Sequence, residues 1–180
     1  PTPTIASPRS SDSFSVGQSI TVRGSATDAE DGTLPGTSLR WTVQIRHNDH
    51  VHPYATGTGS SITVTMPAPE DLAVTKTSWL EISLVATDSQ GLSRAVRQKL
   101  LPKLVTVNFT TNPTGRNLTV NGVTYTAPAA VTSWSNYNLR VNAPNQSGYV
   151  FQSWSDGGAQ SHTIATPGSN SSYTATFRAQ

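Results

Sequence analysis

Residues 46–53, RHNDHVHP, gather three of the chain's four histidines, His47, His50 and His52, around Asp49. Imidazole and carboxylate groups ligate transition metals, and zinc takes three or four such ligands on a tetrahedron at ~2.0–2.2 Å. On an extended strand His50 and His52 share one side and Asp49 takes the other. His47 falls on the opposite parity to His50, so a third ligand has to come from His47 through a bend or from Asp49. His-x-His alone is no zinc signature. Two other readings stay open. One is sugar contact, with imidazole, Asn48 and Asp49 supplying donors, acceptors and a flat face. The other is a polar loop whose imidazoles bond to neighbours and water.

A second set of oxygen ligands lies in two turns. TDAEDG (27–32) carries Asp28, Glu30 and Asp31, and TDSQG (87–91) carries Asp88. If the two strand ends meet at one pole, Asp28, Asp31 and Asp88 become candidate calcium ligands, since calcium requires six to eight oxygens. Glu30 is expected to point away. The simpler reading needs no ion: Asp bonds to the backbone two residues on, and Asp-Gly is ordinary turn chemistry.

The third set is aromatic. Nine of the thirteen aromatic residues follow residue 102. Phe109, Phe151, Trp154, Tyr173 and Phe177 fit inner faces, and Trp41 fits a core. TSWSNYN (132–138) reads as a loop that presents Trp134 and Tyr137 among Ser133, Ser135, Asn136 and Asn138, with Tyr125 nearby. Aromatic rings beside amides and hydroxyls suit carbohydrate, because the ring stacks on a sugar face while polar neighbours bond its hydroxyls. Trp79, on the polar parity of a strand, is a further candidate. Exposure of Trp134 and Tyr137 favours binding. Their burial favours a structural role, because a Trp often closes the core of a small domain.

Catalytic constellations are not legible. There is no G-x-S-x-G elbow, P-loop or dinucleotide fingerprint. The acidic residues concentrate in turns, and residues 103–180 hold one carboxylate, Asp156, where a glycosidase needs a facing pair. Sequons at Asn108, Asn117, Asn145 and Asn170 are what an Asn/Ser/Thr-rich chain produces by chance.

The elements that must position these groups are strands. The chain is rich in Ser, Thr, Gly, Pro and Asn and poor in helix-forming residues. LRWTVQIR puts Leu39, Trp41, Val43 and Ile45 on one face. SITVTM aligns Ile62, Val64 and Met66, and LEISLVAT aligns Leu80, Ile82, Leu84 and Ala86. Period-two alternation marks sheets with one face on a core. Several such strands over about 100 residues predict an immunoglobulin-like β-sandwich. Six more strand-like segments follow Pro102, with Asn121-Gly122 as a hairpin turn and Asp156-Gly157-Gly158 expected to turn a second hairpin. The expected organisation is a linker end and strand lead-in (1–8), the sandwich (9–102) and a second small antiparallel β-domain (103–180).

GSATDAEDGTLPGTSLRWTV (24–43) and LVATDSQGLSRAVRQKL (84–100) resemble PKD-type and cadherin-like bacterial immunoglobulin folds. PKD domains follow the Trp with a WDFGDG-like run, where this chain has WTVQIRHNDHVHP, so ligand preferences are not carried over. NPTGRNLTVNGVTYTAPAAV resembles the PEGA pattern, and GYVFQSWSDGG resembles the InlB B-repeat. Such a pair looks like the C-terminal appendage of secreted bacterial carbohydrate-active enzymes.

The remaining expectations follow from composition. Residues 1–102 carry eight basic and nine acidic groups, and residues 103–180 four basic and one acidic. Neither stretch shows a Lys/Arg stripe, which argues against nucleic acid. No apolar run reaches the ~18 residues of a membrane helix. The chain has no cysteine, which excludes disulfides and fits the cytosol or a secreted bacterial protein equally. The expected function is a non-catalytic, monomeric, secreted accessory module that binds a polysaccharide or cell-surface glycan beside an attached catalytic domain. The alternative is a calcium-stiffened spacer or adhesion module.

Overall fold

Apolar residues two apart along a chain can share a buried face only if the chain is extended. The computed structural model describes residues 1–180 and is all-β, with one three-residue 3-10 turn at Gly36–Ser38 and no α-helix. It divides into two compact units. The first comprises Pro1–Pro67 and Thr77–Pro102, and the second Ala68–Lys76 and Lys103–Gln180.

The first unit has nine strands: β1 (Thr2–Ser7), β2 (Ser13–Phe14), β3 (Ser19–Asp28), β4 (Gly32–Thr33), β5 (Leu39–His47), β6 (His50–Thr58), β7 (Ser61–Thr65), β8 (Ser78–Thr87) and β9 (Ser93–Pro102). One sheet runs β1-β3-β4, with β7 also paired to β3. The other runs β2-β9-β8-β5-β6. Leu39, Trp41 and Val43 of β5 and Leu80, Ile82, Leu84 and Ala86 of β8 are buried between the sheets. The Trp41 indole donates to the Gly59 carbonyl at 2.8 Å, so the largest core side chain carries no unpaired donor. Gly24 marks the closest approach: a Cβ there would lie 2.7–2.8 Å from Leu84, the Thr4 carbonyl and the Trp41 ring. Thr2–Ser7, expected as linker and lead-in, is a strand paired to β3.

The second unit has eight strands: β10 (Leu104–Asn112), β11 (Asn117–Val120), β12 (Val123–Thr126), β13 (Ala129–Trp134), β14 (Asn138–Asn142), β15 (Tyr149–Trp154), β16 (Ser161–Ala165) and β17 (Ser171–Ala179). They form two four-stranded sheets, β13-β10-β17-β15 and β12-β11-β14-β16. The core gathers Val107, Phe109, Leu118, Val120, Leu139, Val141, Trp154 and Phe177. Asn121 and Gly122 adopt φ of 48° and 79° and turn β11 into β12, as Asn-Gly favours.

Three expectations are corrected here. The second unit is not purely antiparallel, because β17 returns alongside β10 in parallel. The Asp156-Gly157 turn closes no hairpin: β15 pairs β17 while β16 pairs β14, so the turn passes the chain from one sheet to the other. Residues 68–76 pack with the second unit rather than the first. There the Asp71 carboxylate accepts from the N–H groups of Ala73 and Val74, and the Thr75 hydroxyl meets the carbonyls of Leu72 and Thr132, both at 3.0 Å.

Candidate functional site

The inward parity of β5 and β8 is apolar, so their other parity must face outward. Register places Arg46 opposite Trp79, Gln44 opposite Glu81 and Thr42 opposite Ser83. On the next strand Lys99 stands opposite Glu81 and Arg97 opposite Ser83. A groove of about 390 Å³ runs over this face, lined by Thr42, Gln44, Arg46, Glu81, Ser83, Val85 and Arg97. Glu81 organises it. Its Oε1 accepts from Arg46 at 2.9 Å and lies 3.7 Å from the Arg97 guanidinium. The half-buried Trp79 ring takes the Lys99 ammonium 4.4 Å from its centroid, with the Arg46 guanidinium carbon at 5.8 Å. Arg40, Arg46, Arg97 and Lys99 thus share a face with one carboxylate. No sequence stripe announced this, because the four cations are spread over residues 40–99 and only strand pairing aligns them.

Trp134, the leading sugar-binding candidate, is corrected. Residues 129–134 form a strand rather than a loop, and Trp134 is fully buried. Its indole N–H donates to the Thr75 carbonyl at 2.8 Å. With its faces buried and its only donor satisfied, this ring cannot stack on a sugar. Asn136 is exposed in a left-handed turn at φ 67°, where its backbone N–H bonds the Thr166 carbonyl.

Tyr137 and Tyr125 are half-buried and line separate depressions of the second unit. Tyr137 borders a groove of about 490 Å³ with Glu70, Asp71, Leu72, Ala73, Asn121, Val123 and Asn138. The Asn121 amide is held there, donating toward the Tyr137 hydroxyl at 3.3 Å and accepting from the Arg140 N–H at 2.7 Å. Tyr125 borders a shallower depression of about 250 Å³ beside Thr75 and Lys76. Leu72 and Ala73 line both.

The acidic turns meet, but through hydrogen bonds. Asp31 accepts from the backbone N–H and the hydroxyl of Ser89, both at 2.8 Å. Asp28 accepts from the N–H groups of Glu30 and Asp31. Asp88 accepts from Gln90 and Leu92. The Asp28–Glu30 and Asp88–Gln90 bonds are the Asx-turn bonds of the ion-free reading, and Asp31 instead links the two turns.

The histidines occupy the tip of the β5–β6 hairpin. Asn48, at φ 47°, and Asp49 make the turn, which places His47 directly opposite His50. Directly opposed residues point to one face, and His52 shares it two residues on. Reversal of the chain therefore supplies the bend that a ligand from His47 required. The Nε2 atoms of His47 and His52 are 2.9 Å apart. The ring centroids of His50 lie 5.5 Å from His47 and 6.4 Å from His52. His47 is buried, while His50 and His52 are exposed, and Asp49 belongs to the turn.

No protein-family model, curated protein or solved structure matches the chain.

Proposed function

We propose that the chain is a non-catalytic glycan-binding module of a secreted bacterial protein, and that its ligand lies on the outer face of the five-stranded sheet. On this reading the first unit is an immunoglobulin-like sandwich of the PKD kind and the second a PEGA-like or InlB-repeat-like companion. The single observation that carries it is Trp79 seated beside Lys99 and Arg46, the latter lining a groove of hydroxyl, amide, guanidinium and one carboxylate group. Four cations against one carboxylate favour a polysaccharide or cell-surface glycan that bears carboxylate or sulfate groups. Planar guanidinium groups pair with such anions in two-bond contacts, and Gln44 and Ser83 offer bonds to sugar hydroxyls. Retention on a surface holds an attached enzyme near its substrate through effective concentration, so a weak site suffices.

The test is depletion of the chain by a panel of insoluble neutral and acidic polysaccharides. Depletion by an acidic polymer that Trp79→Ala abolishes supports the reading. The second reading, a spacer or adhesion module without sugar specificity, is favoured by the burial of Trp134. It is the outcome if no polymer depletes the chain.

A further inference from the structure

We propose that His47, His50 and His52 form a binding site for a divalent transition metal ion at the tip of the β5–β6 hairpin. The inference is independent of glycan binding. It rests on the two-residue turn, which brings three imidazoles from two strands to one face of the sheet. The Nε2 atoms of His47 and His52, 2.9 Å apart, are the core of the site. Two nitrogens ~2.1 Å from one ion stand ~3.0 Å apart at a right angle and ~3.4 Å apart at the tetrahedral angle. The pair needs to open by only a few tenths of an ångström to chelate.

Without an ion, a contact between two ring nitrogens requires one N–H and one lone pair. A bound ion takes an Nε2 lone pair from each ring, and the ring that had carried its proton on Nε2 carries it on Nδ1 instead, so both stay neutral. His47 is the anchored ligand, buried and stacked on His52 at an interplanar angle of 15°. His50 is exposed, and rotation about its side-chain bonds brings its ring in as the third ligand. Water completes the shell.

Three neutral imidazoles select zinc, copper, nickel or cobalt over calcium and magnesium, which take oxygen ligands. An ion there ties β6, an edge strand whose residues are mostly exposed, to β5. Binding to the folded state alone also raises the unfolding temperature.

The test titrates zinc and cobalt into the untagged full chain, followed by calorimetry and by the visible spectrum of bound cobalt. One equivalent binds, and His50→Ala and His52→Ala each weaken binding about tenfold or more. Both positions are exposed, so these variants fold, which their unfolding temperatures in chelator verify. His162→Ala, which removes the fourth histidine, leaves binding unchanged. Zinc raises the unfolding temperature of the wild type and not of His52→Ala. Absence of saturable binding, or binding that survives both hairpin substitutions, overturns the site.

Discussion

Lys99 holds its ammonium 4.4 Å from the centre of the Trp79 ring, a cation placed over an aromatic face on the neighbouring strand. The ring is thereby paired with a cation beside Arg46, which lines the groove. A ligand must displace or bridge this ammonium, which an anionic group does at least cost. Trp79→Ala is expected to weaken glycan binding about tenfold or more. Trp79 is only half-buried, so the stability loss stays near 1–2 kcal/mol. Equilibrium depletion beside thermal unfolding separates the two effects.

Glu81 is the one carboxylate on this face and neutralises part of its charge. Glu81→Gln keeps an acceptor for Arg46 and removes the negative charge. Affinity for an acidic polymer then rises about twofold to fivefold at low salt, and the gain fades as salt screens it. An unchanged affinity would mean that charge is not what the face recognises.

Asp31 joins two turns through both of its oxygens. Asp31→Ala leaves the Ser89 N–H and hydroxyl to water and is expected to cost about 1–2 kcal/mol, the range for exposed but charge-assisted bonds. Chemical denaturation measures it. Because the bonds need no ion, chelator is expected to leave the contribution of this residue unchanged.

Trp134→Ala removes a fully buried ring and unpairs the Thr75 carbonyl, at a cost of about 3–5 kcal/mol. Thermal unfolding monitored by Trp fluorescence reports it. Binding by the sheet face of the first unit is expected to persist at temperatures where that unit remains folded. Loss of glycan binding with the first unit intact would return the site to the second unit.

Asp156 contributes acid dependence to the second unit. Burial pushes its carboxyl up, but the Gly158 N–H and the His162 imidazole, whose Nε2 lies 2.8 Å away, outweigh it and hold the group below its ordinary value. A carboxyl depressed in the folded state binds its proton more readily when unfolded. Its stabilisation is therefore present above the unfolded value of about 3.9 and lost as pH falls through the folded one. The stability gap between wild type and Asp156→Asn is expected to be open near pH 5 and to narrow as pH falls below the ordinary carboxylate range. A gap independent of pH contradicts this.

Pattern alone carried the central strands. Leu39 to Val43 and Leu80 to Ala86 alternate cleanly because both strands cover the core on one side, and Asn121-Gly122 turns where its φ angles allow. The other elements lack such signals for physical reasons. Strand β6, HVHPYATGT, lies at a sheet edge with mostly exposed residues, so no apolar period marks it. In β13 the core parity carries Val131 and Ser133, while Trp134 lies on the opposite face, where its indole meets the Thr75 carbonyl; all stand in a run of small and polar residues, which imitates a loop. The docking of residues 68–76 depends on backbone carbonyls, the Thr75 carbonyl above all, and these have no sequence signature. The cationic face required knowing which residues of β5, β8 and β9 stand opposite one another.

The most direct test of glycan recognition is a titration of the full chain with a uronate-bearing polysaccharide, a neutral polysaccharide and double-stranded DNA, at low and high salt. The wild type is compared with Arg46→Ala and Arg97→Ala. The account predicts binding to the acidic polysaccharide that weakens with salt and falls about tenfold or more in each variant. Binding to none of the three, to DNA alone, or equally by wild type and both variants contradicts it.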